Sequence, residues 1–162
     1  MSCPGNTMEV STPRDCGAQV NYTEPFAEIA VRELRQIQHN YTSQSFFEVG
    51  RTTVYYKAQN NSHFCIFIVE VADNEKPNFI EFLKDIKVET VATSVTTVKR
   101  EEPEVQDNCV DLTMASSYAL GDVFPLGKTV LNYWVHDLAG NVESKKFQCN
   151  KKKVNELLSD VK

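Results

Sequence analysis

Five cysteines and three histidines are the residues of this 162-residue chain that could support redox, metal or nucleophilic chemistry. No two cysteines have the two-residue spacing of a zinc ribbon or a thioredoxin-type site. No Gly-x-Ser-x-Gly, His-Glu-x-x-His or phosphate-binding glycine loop occurs, and the histidines lie far apart. His136 adjoins Asp137, but neighbouring residues of a strand point to opposite faces and cannot act together. The pattern therefore favours structural roles, and it predicts no catalytic residue, no metal ligand and no cofactor. The residues in question are Cys3, Cys16, Cys65, Cys109, Cys149, His39, His63 and His136.

Three asparagines lie in the sequon for N-linked glycosylation: Asn21, Asn40 and Asn60. All three are in the first half of the chain, which predicts a glycan-bearing surface there. Together with the dispersed cysteines, they indicate an extracellular or secretory setting. The first residues have neither the basic nor the apolar region of a signal peptide. The chain is then either cytosolic or, as we expect, a fragment of a longer secreted protein.

The overall composition is that of an acidic, folded protein. Hydrophobic residues make up 41% and charged residues 24% of the chain, which is typical of globular domains. The net charge of -5 makes the molecule as a whole a poor binder of polyanions. The longest apolar run, residues 66–69, is far shorter than the roughly 20 residues of a membrane span. Nucleic-acid binding and membrane insertion are therefore not expected.

A repeat of about 77 residues organises the chain. Phe-Glu-Val-Gly-Arg-Thr at positions 47–52 returns as Phe-Pro-Leu-Gly-Lys-Thr at positions 124–129. After each glycine the apolar residues alternate, as in a strand with one buried face. The sequence therefore predicts two β units, 1–75 and 76–150, joined within a polar segment that ends in proline. Residues 151–162 are predicted to form a basic tail or a short helix. The alternating residues are Val54, Tyr56 and Ala58 in the first unit, and Leu131, Tyr133 and Val135 in the second.

The same alternation places Trp134 on the opposite strand face from Tyr133. Trp134 is therefore expected to point outward, together with Asn132 and His136. An exposed tryptophan can anchor an interface, so Trp134 is a candidate interface residue. A neighbouring strand could equally cover it, and the sequence leaves both readings open.

Charged residues cluster at three places. Residues 73–75 at the unit boundary, and Asp137 with Asn141 in a turn, carry the oxygen ligands that calcium prefers. A solvated linker and a hairpin turn explain them without an ion. The lysines at 145–146 and 151–153 make the C-terminal end basic, as a solvated tail or as an attachment site for a sulfated polysaccharide.

In their order and spacing, these motifs resemble those of the hyalin repeat (HYR) family, over about residues 2–149. The resemblance implies two immunoglobulin-like β-sandwich domains of an extracellular adhesion or matrix protein. The second unit departs from the family in its cysteines, of which it keeps one of four. The matching motifs are Cys-Pro-Gly-Asn at 3–6, Cys-Gly-Ala-Gln-Val at 16–20, Phe-Glu-Val-Gly-Arg-Thr-Thr-Val-Tyr-Tyr at 47–56, Cys-Ile-Phe-Ile-Val-Glu-Val at 65–71, Asp-Asn-Cys at 107–109, Phe-Pro-Leu-Gly at 124–127 and Asp-Leu-Ala-Gly-Asn at 137–141.

In the sandwich that the resemblance implies, the first and last strands of a unit start at the same end. Cys3 and Cys65 are therefore expected to form a disulfide. A Cys-Gly-Ala cysteine is expected to bond to an Asp-Asn-Cys cysteine, but each unit has only one of these, Cys16 or Cys109. Neither has a partner within its own unit, and the pairing of these two and of Cys149 stays open.

The sequence thus predicts a non-enzymatic extracellular module for adhesion or matrix interaction, with an unidentified protein or glycan as its ligand. A spacer or recognition module in a secreted regulatory, complement-like protein is the alternative. A small enzyme is a third possibility, which the missing catalytic motifs disfavour.

Overall fold

The structure is a computed structural model that describes residues 2–25, 37–58, 64–81, 84–91 and 96–154. The chain divides into two compact units. Unit 1 contains residues 1–75 and 108–110, and unit 2 contains residues 76–107 and 111–162. Each is an immunoglobulin-like β-sandwich, as the sequence predicts. None of the described residues is helical, and no helix among them could cross a membrane.

The described part of unit 1 has one four-stranded sheet and one two-stranded sheet. The larger sheet has the strand order β1-β6-β5-β3, in which β5 and β6 are antiparallel neighbours and β1 lies parallel to β6. The smaller sheet pairs β2 with β4. The strands are β1 (Thr7–Val10), β2 (Gly17–Gln19), β3 (Ile37–His39), β4 (Phe46–Glu48), β5 (Gly50–Ala58) and β6 (Phe64–Ala72).

The core of unit 1 lies between these two sheets. Ala18 of β2 and Phe47 of β4 are in one buried cluster with the inward residues of β5 and β6. Those inward residues are every second residue, because successive side chains of a strand point to opposite faces. They are Val54 and Tyr56 from β5, and Cys65, Phe67, Val69 and Val71 from β6.

Unit 2 repeats this plan. Its four-stranded sheet has the order β11-β13-β14-β8, again with an antiparallel central pair and one parallel edge strand, β8. Two short pairs, β10-β7 and β12-β9, complete the described strands. The strands are β7 (Asn78–Phe79), β8 (Ile86–Thr90), β9 (Thr96–Thr97), β10 (Val105–Gln106), β11 (Thr113–Ser116), β12 (Val123–Phe124), β13 (Gly127–His136) and β14 (Val142–Lys153).

The repeated hexapeptide has the same backbone geometry in both units. Gly50 begins β5 with a φ of 118°, and Gly127 begins β13 with a φ of 103°. Glycine adopts these values without the steric cost that a Cβ atom imposes. The two glycines therefore set the entry of the chain into the long central strand of each unit.

The last strand extends beyond the predicted domain boundary at residue 150. Lys151 to Lys153, expected in a tail or short helix, belong to β14 and pair in register with Val88 to Thr90 of β8. Backbone pairing with β8 holds this segment in the sheet. Its lysine-rich composition does not predict a strand. Residues 155–162 lie outside the described residues, as does most of the uncertain segment 26–38, whose end forms the start of β3.

Two tyrosines occupy equivalent inward positions on the central strands. Tyr56 is 3% exposed and Tyr133 is 2% exposed. The Tyr56 hydroxyl lies 3.2 Å from that of Tyr22, and the Tyr133 hydroxyl accepts a hydrogen bond from Arg100. Burial raises the pKa of all three phenols, although the Arg100 guanidinium partly offsets this effect for Tyr133. Each buried hydroxyl thus has a polar partner, as buried tyrosines usually do.

Replacing Tyr56 or Tyr133 by Ala should lower the free energy of unfolding of the corresponding unit by about 3–5 kcal/mol. The reason is the cavity left by a large buried ring. Urea unfolding followed by circular dichroism measures the loss. Tyr55→Ala is the matched control, because Tyr55 is on the same strand but 39% exposed on the outer face. A similar loss at Tyr55 and Tyr56 would contradict the assignment of the core face.

The phenol pKa values also predict how stability depends on pH. Above about pH 10 the phenols of the unfolded chain ionise, whereas the folded chain keeps its protons on Tyr22, Tyr56 and Tyr133. The unfolded state then binds fewer protons, so the free energy of unfolding should be level up to about pH 9 and fall as the pH rises further. In Tyr22→Phe this fall should be shallower than in the unaltered chain by up to about 1.4 kcal/mol per pH unit. Equal slopes in the variant and the unaltered chain would refute the prediction.

Outer sheet faces and disulfides as candidate functional sites

The outer face of the four-stranded sheet of unit 2 carries Trp134. Its strand neighbours Leu131, Tyr133 and Val135 are buried, whereas Trp134 points away from the core and is 42% exposed. Its cross-strand partners are small: Ala115 on β11 and Ser144 on β14. Because the nearest side chains on both sides are small, the indole ring has room to meet a ligand.

The basic C-terminal stretch is divided between the two faces of β14. Lys151 points inward, is 1% exposed and donates from Nζ to the backbone oxygen of Phe124 at 2.8 Å. The Nζ atom of Lys145 lies 5.7 Å from the centre of the Phe79 ring, also on the inner side. Lys146 and the other even-numbered residues of β14 point outward. The stretch is therefore not the uniformly solvated basic segment that the sequence indicates.

Two lysines that are distant in sequence join the outer face. Lys87 of β8 and Lys128 of β13 both align with Asn150 of β14, one on each side. Lys152 aligns with Glu89, which is the one acidic residue among the outward positions of these four strands. We call this surface the basic face: Lys87, Lys128, Lys146, Lys152, Glu89, Trp134, Val130, Asn132, Gln148 and Asn150.

The corresponding outer face of unit 1 carries large apolar residues. Phe64 and Ile66 of β6 are 55% and 54% exposed, and Tyr55 lies directly opposite Ile66 on β5. At the other end of this face the Arg51 Nε atom is 3.1 Å from a Glu70 carboxylate oxygen. Both side chains of that ion pair are exposed to solvent, so it adds little stability. The repeat thus conserves the core but not the surface.

The sequon asparagines differ in their surroundings. Asn21 is exposed, and its side chain has no hydrogen bond to any other described residue. Asn40 is also exposed, but its amide nitrogen donates to the Thr53 backbone oxygen at 2.8 Å, and its oxygen accepts from the Tyr55 backbone nitrogen at 2.9 Å. Asn40 thus continues the β3-β5 pairing through its side chain. Asn60 lies outside the described residues.

Two disulfides lie within unit 1. Cys3 and Cys65 are bonded, with their Cα atoms 5.6 Å apart, which joins the start of the chain to β6. Cys16 is bonded to Cys109, with their Cα atoms 4.7 Å apart. The sequence left the partners of Cys16 and Cys109 open. The sequence did contain a signal for this bond. The first repeat has a Cys-Gly-Ala cysteine, Cys16, but no Asp-Asn-Cys cysteine, whereas the second repeat has an Asp-Asn-Cys cysteine, Cys109, but no Cys-Gly-Ala cysteine.

The segment 108–110 comes from the second repeat in sequence but packs as part of unit 1. The Asn108 amide donates to the Asp15 backbone oxygen at 3.2 Å and to an Asp73 carboxylate oxygen at 3.1 Å. The same Asp73 oxygen accepts from the Glu75 backbone nitrogen at 3.0 Å. These bonds hold the segment beside the Cys16–Cys109 disulfide.

The remaining candidate residues have structural surroundings. Asp137 in unit 2 is 4% exposed and accepts from the backbone and side-chain nitrogens of Asn141, both at 2.8 Å, which closes the predicted turn. His39 stacks on Tyr56, and His63 is outside the described residues. Cys149 is a buried free thiol whose pKa is raised by burial, which keeps it protonated and unreactive.

The model of the HYR domain family matches residues 1–71 and again residues 73–150. These matches cover nearly the whole chain and both units of immunoglobulin-like fold. The chain therefore belongs to the HYR domain family, and it contains two copies of the domain.

Sea-urchin and mammalian proteins are similar to the chain. It is 30% identical over 152 residues to hyalin of Strongylocentrotus purpuratus, covering 87% of the chain and 12% of that protein. It is 27% identical over 147 residues to the sushi, von Willebrand factor type A, EGF and pentraxin domain-containing protein 1 of Mus musculus, covering 87% of the chain and 4% of that protein. The chain thus spans a small fraction of the length of these relatives.

Among solved structures, the first three extracellular cadherin domains of Drosophila N-cadherin are similar to the chain. The sequence identity is 13%, and the TM-score is 0.48. The alignment covers 95% of this chain and 66% of the cadherin chain.

The Cys16–Cys109 disulfide closes a loop with a sequence separation of 93 residues. Under non-reducing conditions, Cys16→Ser or Cys109→Ser should lower the free energy of unfolding of unit 1 by about 2–5 kcal/mol. The double variant should lose no more than about 1 kcal/mol beyond either single variant, because one bond is lost in all three. Chemical denaturation measures the loss, and Cys149→Ala is the control that leaves both disulfides intact. Peptide mapping without reduction should recover the linked pair, and any other pairing would contradict the assignment.

Proposed function

We propose that this chain is a non-enzymatic extracellular module for adhesion or matrix interaction, and that it forms part of a longer secreted protein. The observation that carries the proposal is the match of the HYR domain to both halves of the chain, with hyalin among the relatives. The matches take in residues 1–71 and 73–150, which supports an adhesion-type module over a small enzyme.

The chemistry of unit 1 supports an extracellular setting. Its two disulfides are of a kind that persists in oxidising compartments and is rare in the cytosol. Asn21 and Asn40 are both exposed, and each is a proposed glycan site. A glycosylated asparagine keeps one amide hydrogen, so the bond from Asn40 to Thr53 is compatible with a glycan. A drop in mass of the secreted chain on digestion with an N-glycosidase tests this.

The shape of the surface supports binding through faces rather than through a pocket. Among the described residues, the cavity between Phe79, Pro103 and Tyr133 holds about 10 Å³, barely the space of one water molecule. Two larger clefts, of about 120 Å³ beside Lys87 and about 240 Å³ beside Met8, lie along the outer sheet faces. The large exposed residues instead lie on the outer sheet faces, with Trp134 on unit 2 and Phe64 and Ile66 on unit 1. Exposed rings of this kind are typical anchors of interaction surfaces.

The alternative function is that of a spacer or recognition module in a secreted regulatory protein. The observation in its favour is the similarity to the mouse protein whose name combines sushi, von Willebrand factor type A, EGF and pentraxin domains. In such a protein the neighbouring domains, rather than the HYR pair, would bind the ligand.

An attachment assay distinguishes the two functions. The 162-residue chain, secreted from eukaryotic cells so that its disulfides form, should bind to cultured cells or to deposited extracellular matrix in a saturable manner. The same chain after reduction and alkylation is the control, because it has lost both disulfides. If the folded chain binds no better than this control, the adhesion function is wrong and the spacer function is favoured.

A further inference from the structure

The basic face has a charge opposite to that of the protein as a whole. The chain carries a net charge of -5, whereas this face presents the lysines at 87, 128, 146 and 152 against two carboxylates, those of Glu89 and of Asp85, which precedes β8 and accepts a hydrogen bond from the Gln148 backbone nitrogen at 2.9 Å. Three strands supply the four lysines. A positively charged surface on an acidic protein attracts an anionic ligand to that surface, because the rest of the molecule repels it.

The charges of the basic face are available to a ligand. All four lysines are exposed, and none is within ion-pair distance of a carboxylate in the part of the chain that the structure describes. Lys87 and Lys128 flank Asn150 on neighbouring strands, so their Cα atoms are about 10 Å apart. Lys152 is two residues further along β14 from Asn150. Repeated charges at such spacings fit a polymer with repeated anionic groups, because several weak contacts along one chain add up.

The basic face also carries the groups that recognise sugars. The indole ring of Trp134, 42% exposed, offers a flat apolar surface to the C–H face of a pyranose ring. The carboxamides of Asn132, Gln148 and Asn150 point to the same side, and each can donate to and accept from a hydroxyl group. A cleft of about 120 Å³ at the lysine end is lined by Lys87, Glu89, Asn150 and Lys152.

We propose that the basic face of unit 2 binds a sulfated polysaccharide, with Trp134 stacked on a sugar ring and the four lysines paired with its sulfate groups. This rests on the extracellular interaction function proposed above, and it names the class of ligand. A protein partner fits the face less well, because the centre of a protein interface is typically depleted of charge. The outer face of unit 1 lacks this combination of groups, and its Arg51 is paired with Glu70.

Heparin is the probe, and the complete 162-residue chain is the protein. The chain should bind immobilised heparin with an affinity that falls steeply as the salt concentration rises, since each lysine displaces counterions from the polyanion. Trp134→Ala should weaken binding at least tenfold with little change in the salt dependence. Replacing all four lysines by Gln should weaken binding at least tenfold and flatten the salt dependence.

The matched control removes the same charge from elsewhere. The four exposed or half-exposed lysines at 57, 76, 84 and 99 lie outside the basic face, and their joint replacement by Gln should change the affinity less than threefold. An equal loss in both fourfold variants would overturn the proposal, because it would mean that net charge alone governs binding. An unchanged affinity in Trp134→Ala would overturn the stacking role. Circular dichroism of each variant confirms that the fold is retained.

Competitors test the class of ligand. Free heparin should displace the chain from the immobilised polymer, and desulfated heparin should not. Double-stranded DNA at equal charge concentration should compete at least tenfold more weakly, and equal competition by DNA would overturn the assignment to a polysaccharide. If the chain attaches to cells or matrix but does not bind heparin, this inference fails and the proposed function stands. If it binds heparin but attaches to neither, the proposed function fails alone.

Discussion

The pleat of the β-strand is the constraint on which both units depend. Successive side chains of a strand point to opposite faces, so the direction of one residue fixes that of all others in the strand. In β13 this puts Tyr133 into the core and Trp134 at the surface, and in β14 it buries Lys151 and exposes Lys152. A slip of one residue would exchange these faces and destroy the core, so selection for folding also fixes which residues are presented outward.

The two units show how this constraint separates stability from function. Both have a glycine with positive φ at the start of the long central strand and a buried tyrosine six residues later: Gly50 with Tyr56, and Gly127 with Tyr133. The outward positions of the same strands share little beyond the basic residue that follows the glycine: β5 presents Arg51, Thr53, Tyr55 and Lys57, whereas β13 presents Lys128, Val130, Asn132, Trp134 and His136. The repeat is thus a repeat of the core, and its outer residues are available for different ligands.

Much of the fold could be predicted from the sequence because its strongest signals are local. The alternation after Gly50 and Gly127 predicts the central strands and the outward direction of Trp134, and motif order predicts the family. The basic face could not be predicted, because Lys87 reaches Asn150 only through the parallel pairing of β8 with β14. The extension of β14 to Lys153 was missed for the same reason, since a partner strand rather than composition stabilises it.

The disulfide between Cys16 and Cys109 also restricts how the coding sequence of this chain can be recombined. The two HYR copies appear in the sequence as separable modules, each of which could be duplicated, lost or moved by recombination. A copy of the first module cut after residue 75 would carry Cys16 without its partner and without the segment 108–110 that completes unit 1. In an oxidising compartment such a lone thiol would crosslink to other molecules. The two HYR domains together, rather than the first domain alone, are therefore the smallest segment that can be duplicated or moved with unit 1 intact. We expect the two domains to occur side by side in related genes.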